Sequence, residues 1–256
     1  MSKRTKFVVS SIILSAGFVG IQFLDNIQRF WAIGALSLTS VLLFIWTLAE
    51  GLAFDGTLLT LILPPMYTLG VGLFWFLLPA SIFARIPIVI MYGIGLYALS
   101  LTGNILSVAA IRTIALSRAA KGVGFVMTLL TAFLLYDSIL SLKADLWINI
   151  ILSMITSFPL FLQGLWQSEL ESKVSKNSII LSFIFTLGTA EIAALLYFWP
   201  VSVVVGSLFL TVGVYTLLGL GQAKLEGRIF SQTIREYLTV AILVFIGMFI
   251  ATSWRG

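Results

Sequence analysis

Long stretches of apolar residues, each near twenty in length and separated by short polar links, recur from one end of the chain to the other. A backbone in lipid must satisfy its own amides, so such stretches fold as helices. About 20 residues at 1.5 Å rise cross about 30 Å of hydrocarbon. Nine stretches meet that length: 7–24, 30–48, 57–78, 86–103, 122–141, 146–166, 177–198, 201–220 and 236–254. The fold expected is therefore all-α, a polytopic integral membrane protein. No link between spans is long enough for a soluble domain, so residues 1–256 form a single transmembrane domain.

Composition agrees. Hydrophobic residues make up 60% of the 256 and charged residues only 10%, where a soluble domain carries about a quarter charged. This excludes an ordinary soluble enzyme and a disordered tail. The chain has no His and no Cys. It thus lacks the usual ligands of zinc, haem and iron–sulfur centres, the commonest general base and the thiol nucleophile. No metal or cofactor is expected. The net charge of +5 falls between apolar spans and reads as membrane orientation, not nucleic-acid binding.

The positions of the cations set that orientation. With the N-terminus in the cytoplasm, one side holds Lys3, Arg4, Lys6, Arg112, Arg118, Lys121, Lys173, Lys176, Lys224, Arg228 and Arg235. The other holds Arg29, Arg85, Lys143 and Arg255. The bias predicts a bacterial-type cytoplasmic membrane, with Met1 inside and Gly256 outside. The first apolar run exceeds a signal-peptide core and no small-residue cleavage site follows, so it reads as an uncleaved anchor. Trp31, Trp46, Trp75, Trp147, Trp166, Trp199 and Trp254 lie near span ends, as interfacial belts require.

A slide of 118 residues aligns 67–104 with 185–222 without a gap. Thr68-Leu69-Gly70 meets Thr186-Leu187-Gly188, and Gly95, Tyr97, Leu99 and Gly103 meet Gly213, Tyr215, Leu217 and Gly221. Trp31 and Ser37 share the spacing of Trp147 and Ser153. Leucine-rich helices align easily, but glycine and tyrosine coincidences are harder to produce. The expectation is a tandem parallel repeat, 7–103 and 122–220, with 236–254 as an additional helix: four plus four plus one.

Three features carry the candidate chemistry. Glu191 lies about seven residues, or ~10 Å, from the outer end of span seven. A carboxylate there marks a proton or cation site, or else an acid hydrogen-bonded to a neighbouring hydroxyl or carbonyl. Its aligned counterpart in the first copy is Leu73. Pro64-Pro65 removes two backbone donors and breaks span three, as in transport sites or in an ordinary packed kink. Basic links at 104–121 and 222–235 offer Arg112, Arg118, Lys121, Lys224, Arg228 and Arg235 to anionic headgroups. In the second link Phe230, Thr233, Ile234 and Tyr237 share a face opposite Arg228, Ser231 and Arg235, which predicts a short interfacial helix.

Tyr136-Asp137 and Gly219-Leu220-Gly221-Gln222 resemble the paired motifs of presenilin-type aspartyl intramembrane proteases. Gln222 stands where that family has its second aspartate, the helices are not consecutive, and no Pro-Ala-Leu follows. Two carboxylates are required for that acid–base pair, so the activity is excluded. What remains is a scaffold or accessory subunit of a membrane complex, with membrane-protein partners and a lipid bilayer around it. The alternatives are a small transporter or proton-coupled permease using Glu191, and, behind both, a membrane enzyme on a lipid-linked substrate.

Overall fold

The computed structural model describes residues 2–49, 55–78, 82–110, 115–171 and 173–252. Met1, Arg112, Trp254, Arg255 and Gly256, which figure in the sequence expectations, lie outside them. The chain is all-helical: α1 (Lys3–Ile21), α2 (Asn26–Leu48), α3 (Leu63–Phe74), α4 (Ile82–Ala109), α5 (Ser117–Ser141), α6 (Leu146–Glu169), α7 (Lys176–Tyr197), α8 (Val203–Leu225) and α9 (Ser231–Ala251). Among the described residues, nine segments are long and apolar enough to cross a membrane. The third combines α3 with flanking 3-10 turns at Asp55–Leu61 and Trp75–Leu77.

Sidedness is the reverse of a soluble protein. Leu, Ile and Phe side chains such as Ile12, Leu38, Leu42, Ile94, Ile155 and Phe183 face outward, while Ser10, Ser40, Thr68, Ser100, Thr131 and Ser182 are buried. In lipid the outer face gains nothing by hiding from hydrocarbon, whereas small and hydroxylated residues let helices approach and bond. The buried hydroxyls turn back on their own helices: Ser100 Oγ donates to the Leu96 carbonyl at 2.9 Å and Thr186 Oγ1 to the Ser182 carbonyl at 2.7 Å. This is a membrane protein.

Two compact units are resolved: residues 1–131 with 170–173, and residues 132–169 with 174–256. The boundary falls inside α5, whereas the sequence repeat placed it between 103 and 122. In the first unit α2, α3 and α4 pack pairwise, and α1 joins α2 and α4. Its core is aromatic. Phe18 meets Trp75 edge-on at 5.2 Å and Tyr92 at 5.0 Å, and Tyr67 stacks on Tyr92 at 5.8 Å. Tyr67 Oη donates to the Met91 carbonyl at 3.1 Å, so its polar end is satisfied in the core.

In the second unit α6, α7 and α8 pack pairwise, the pairing that a four-helix offset from α2, α3 and α4 would produce. The most extensive helix–helix contact is α6 against α7. Helix α9 packs on α8 and is otherwise exposed, with Met248 its buried residue.

Two sequence expectations change here. Residues 230–237 form no separate interfacial helix: α9 starts at Ser231 and runs on without interruption. Tyr237 faces the protein, its ring 5.0 Å from Tyr215, which is why the first turns dock instead of lying free. The tryptophan belt is also incomplete. Trp31 and Trp147 are exposed, but Trp75 and Trp166 are buried under neighbouring helices.

Candidate functional site

Helix α6 buries a polar face along its whole length. Asn149, Ser153, Ser157, Gln163 and Gln167 are each at most 4% exposed, and at 100° per residue they fall within about 120° of one another, on one side. Ser157 Oγ donates to the Ser153 carbonyl, so the 2.7 Å contact with Tyr136 is a bond donated by the tyrosine. Several polar atoms on this face have no hydrogen-bond partner among the described residues: Asn149 Oδ1, Ser153 Oγ, and both amide atoms of Gln167. Orphans of this kind are rare in folded interiors.

Asp137, on α5 beside Tyr136, is a buried carboxylate of the second unit at 3% exposure. Ser207 Oγ on α8 lies 3.1 Å from Asp137 Oδ1 and 3.0 Å from the Val204 carbonyl. One hydroxyl proton serves both acceptors. The geometry therefore accommodates a carboxylate accepting from Ser207, or a neutral acid donating to it. Toward the nearer end of α5, Leu140 packs against Gly206, where an added Cβ would lie 3.2 Å from the leucine. That layer floors a cavity of about 240 Å³ at the α5–α6 and α7–α8 loops.

Glu191 has a different setting. Its side chain is exposed, not buried, on an open groove of about 480 Å³ between α7, α8 and α9. The groove is walled by Gly188, Phe209, Gly213, Ala241 and Phe245, so the carboxylate stands in apolar surroundings about 9 Å from the end of α7. It makes no hydrogen bond or ion pair with the described residues. Arg85, one cation that could have bent toward it, packs over the Trp75 ring at 5.2 Å.

The remaining candidates fall elsewhere. Pro64 and Pro65 occupy the first turn of α3, directly after the 3-10 segment, where missing N–H groups are tolerated. Ser37 on α2 donates to the Pro65 carbonyl at 3.1 Å. Arg118, Lys224 and Arg235 are exposed near helix ends and Lys121 is half-buried. Arg228 is ion-paired with Glu226. Gln222, at the position of the missing protease aspartate, donates to the Gly164 carbonyl at 2.8 Å. It lies 15 residues beyond Ser207 on α8 (222 − 207), about 22 Å along the axis, so it cannot meet Asp137. In the first unit, a groove of about 570 Å³ between α1 and α4 is apolar except for Ser11, Ser15 and Tyr97.

Residues 35–251 match the model of a family described as protein of unknown function (DUF5656). The chain belongs to that family. No curated protein and no solved structure matches it. The DUF5656 match opens within α2 and closes with α9, and so contains Asp137, Glu191 and the whole polar face of α6.

Proposed function

We propose that this DUF5656 member is an accessory or scaffold subunit of a membrane complex, and that the α7–α8–α9 groove receives a transmembrane helix of a partner protein. The exposed carboxylate of Glu191 carries the reading. Facing lipid, it is costly in either protonation state unless something polar covers it. Every Lys and Arg of the described helices sits in the terminal turns, so a second copy offers no cation at that depth. The occupant is a partner helix with a Lys or Arg at the level of Glu191, seated between Phe209, Gly213 and Phe245.

Cation asymmetry supports placement in a bacterial-type cytoplasmic membrane with the N-terminus inside and the C-terminus outside. Arg118, Lys121, Lys224 and Arg235 would then meet anionic headgroups on the cytoplasmic side. A photo-crosslinker at Ile192 or Phe245, activated in intact membranes, tests the docking. A discrete protein adduct that is lost in Glu191→Gln is expected, because Gln keeps the size but not the charge. Lipid adducts alone, unchanged in Glu191→Gln, would overturn it.

A second reading rests on Asp137. A buried carboxylate beside a serine whose proton has two acceptors is suited to passing a proton. Proteoliposomes with a pH-sensitive dye separate the readings: proton flux abolished by Asp137→Asn favours transport, and no flux above empty vesicles leaves the subunit.

A further inference from the structure

Helices α8 and α9 meet through aromatic rings at two levels and carry none between them. Phe209 lies against Phe245 with ring centroids 5.9 Å apart, and Tyr215 against Tyr237 at 5.0 Å. Between these pairs stand Gly213 and Ala241, each one turn from its phenylalanine. On α7 the side chain opposite is Ile192, which a Cβ added to Gly213 would meet at 3.1 Å. Glu191 is the residue before it. The exposed carboxylate therefore stands at a level of the groove where small residues, not rings, form the wall.

Gly188, about one turn before Glu191 on α7, widens the same recess. A Cβ there would meet Leu217 at 3.7 Å, an ordinary contact, whereas one on Gly164 would lie 2.8 Å from Leu218. Packing within the chain thus calls for glycine at 164 and not at 188. The space that Gly188 leaves opens on the groove it lines. Phe245 borders that space and is 43% exposed, so part of its ring is open to an incoming group. The recess combines a carboxylate, an accessible aromatic ring and room at the carboxylate's own depth.

Given that the groove receives a partner helix, we infer that the recess selects an arginine of that helix over a lysine. A guanidinium is flat and gives one carboxylate two parallel N–H bonds. It also stacks on an aromatic face and is only weakly hydrated, so little is lost when it enters apolar surroundings. An ammonium is a compact, strongly hydrated charge that readily gives up its proton when desolvated. The wall of Gly188, Gly213 and Ala241 admits the wider group, and Phe245 offers it a ring. The partner's arginine then lies about 9 Å inside the end of α7, level with Glu191.

The test uses the full chain in liposomes with synthetic leucine-rich transmembrane peptides that carry one Arg, one Lys or only Leu at the depth of Glu191. The chain has no cysteine, so Phe198→Cys, at an exposed position just past α7, takes a single donor dye for energy transfer to the peptide. The Arg peptide is expected to bind about tenfold tighter than the Lys peptide, one charge-assisted hydrogen bond's difference. The Leu peptide should give only the transfer of random mixing. Glu191→Gln should bring all three peptides to that background. Gly188→Leu and Ala241→Leu fill the recess and keep the carboxylate, so each should remove the preference for Arg while the melting temperature of the peptide-free protein holds. Equal binding of the Arg and Lys peptides, both above Leu, would overturn the arginine assignment and leave helix docking standing. An Arg preference undiminished in both filled variants would overturn the recess. Three peptides alike would overturn the recess and the docking together.

Discussion

Two carboxylates lie deep in this chain and meet hydrocarbon differently. Asp137 is enclosed and shares the proton of Ser207; Glu191 stands open on a groove. Ser207→Ala should therefore cost about 1–2 kcal/mol, seen as a lowered unfolding temperature in detergent. Asp137→Asn, which keeps shape and a hydrogen bond, should stay near wild type in the same melt. The sequence pointed to the carboxylate in mid-span and named Asp137, four residues from the end of α5, only in a protease motif that it excluded. No face singled it out either, since residues 134–139 are buried all round the helix and periodicity is informative only for a helix with two unlike sides.

Glycines give a second contrast between residues. A Cβ on Gly221 would lie 2.5 Å from the Phe185 ring and 2.8 Å from Leu165, whereas one on Gly34 meets nothing within 4 Å. Gly221→Ala should destabilise by about 1–3 kcal/mol and Gly34→Ala should stabilise by up to about 1 kcal/mol. Thermal unfolding of the two variants side by side checks the sign of each.

At the scale of helices, ends are fixed by capping groups that hydropathy does not register. Helix α7 opens at Ser175, whose Oγ accepts from the Ser178 amide at 3.0 Å, while the Glu169 carboxylate accepts from both serine hydroxyls. Ser175→Ala should cost about 1 kcal/mol, measurable as a lower unfolding temperature. All nine spans were legible in the sequence, because a missing backbone partner in lipid leaves helix as the only solution. Their ends were less so. Helix α4 continues to Ala109, past the apolar limit at 103, and Ser107 Oγ turns back to the Gly103 carbonyl on the way. The diproline break was legible from the missing donors. The 3-10 winding before it was not, since it depends on packing against α2 and α4.

For the molecule as a whole, nine crossings would put the two ends on opposite faces. Reporter fusions should give cytoplasmic signal at the N-terminus and external signal at the C-terminus; both on one side would remove a crossing. Matching trios of helices, α2–α3–α4 and α6–α7–α8, make the tandem repeat worth testing at atomic detail. An experimental structure should superpose Gly95 on Gly213 by rotation about the membrane normal, and an inverted or mismatched pairing would reduce the alignment to coincidence. Glu191 was legible in the sequence, whereas its open setting and other local geometry were not. The orphaned Asn149 oxygen and the left-handed Lys143 depend on three-dimensional neighbours and on backbone dihedrals.

The polar face of α6 also bears on how the chain is made. A helix leaving the ribosome with Asn149, Ser153, Ser157, Gln163 and Gln167 along one side partitions into lipid less readily than the more apolar α7. Helix α7, its most extensive neighbour, follows after a short turn and is more apolar. The two would enter the bilayer as a hairpin, α6 held at the insertion channel until α7 emerges. Substitutions that add charge to the outer face of α7 should then strand α6 as well, and the loss would register as degradation during synthesis, before any mature protein could be assayed.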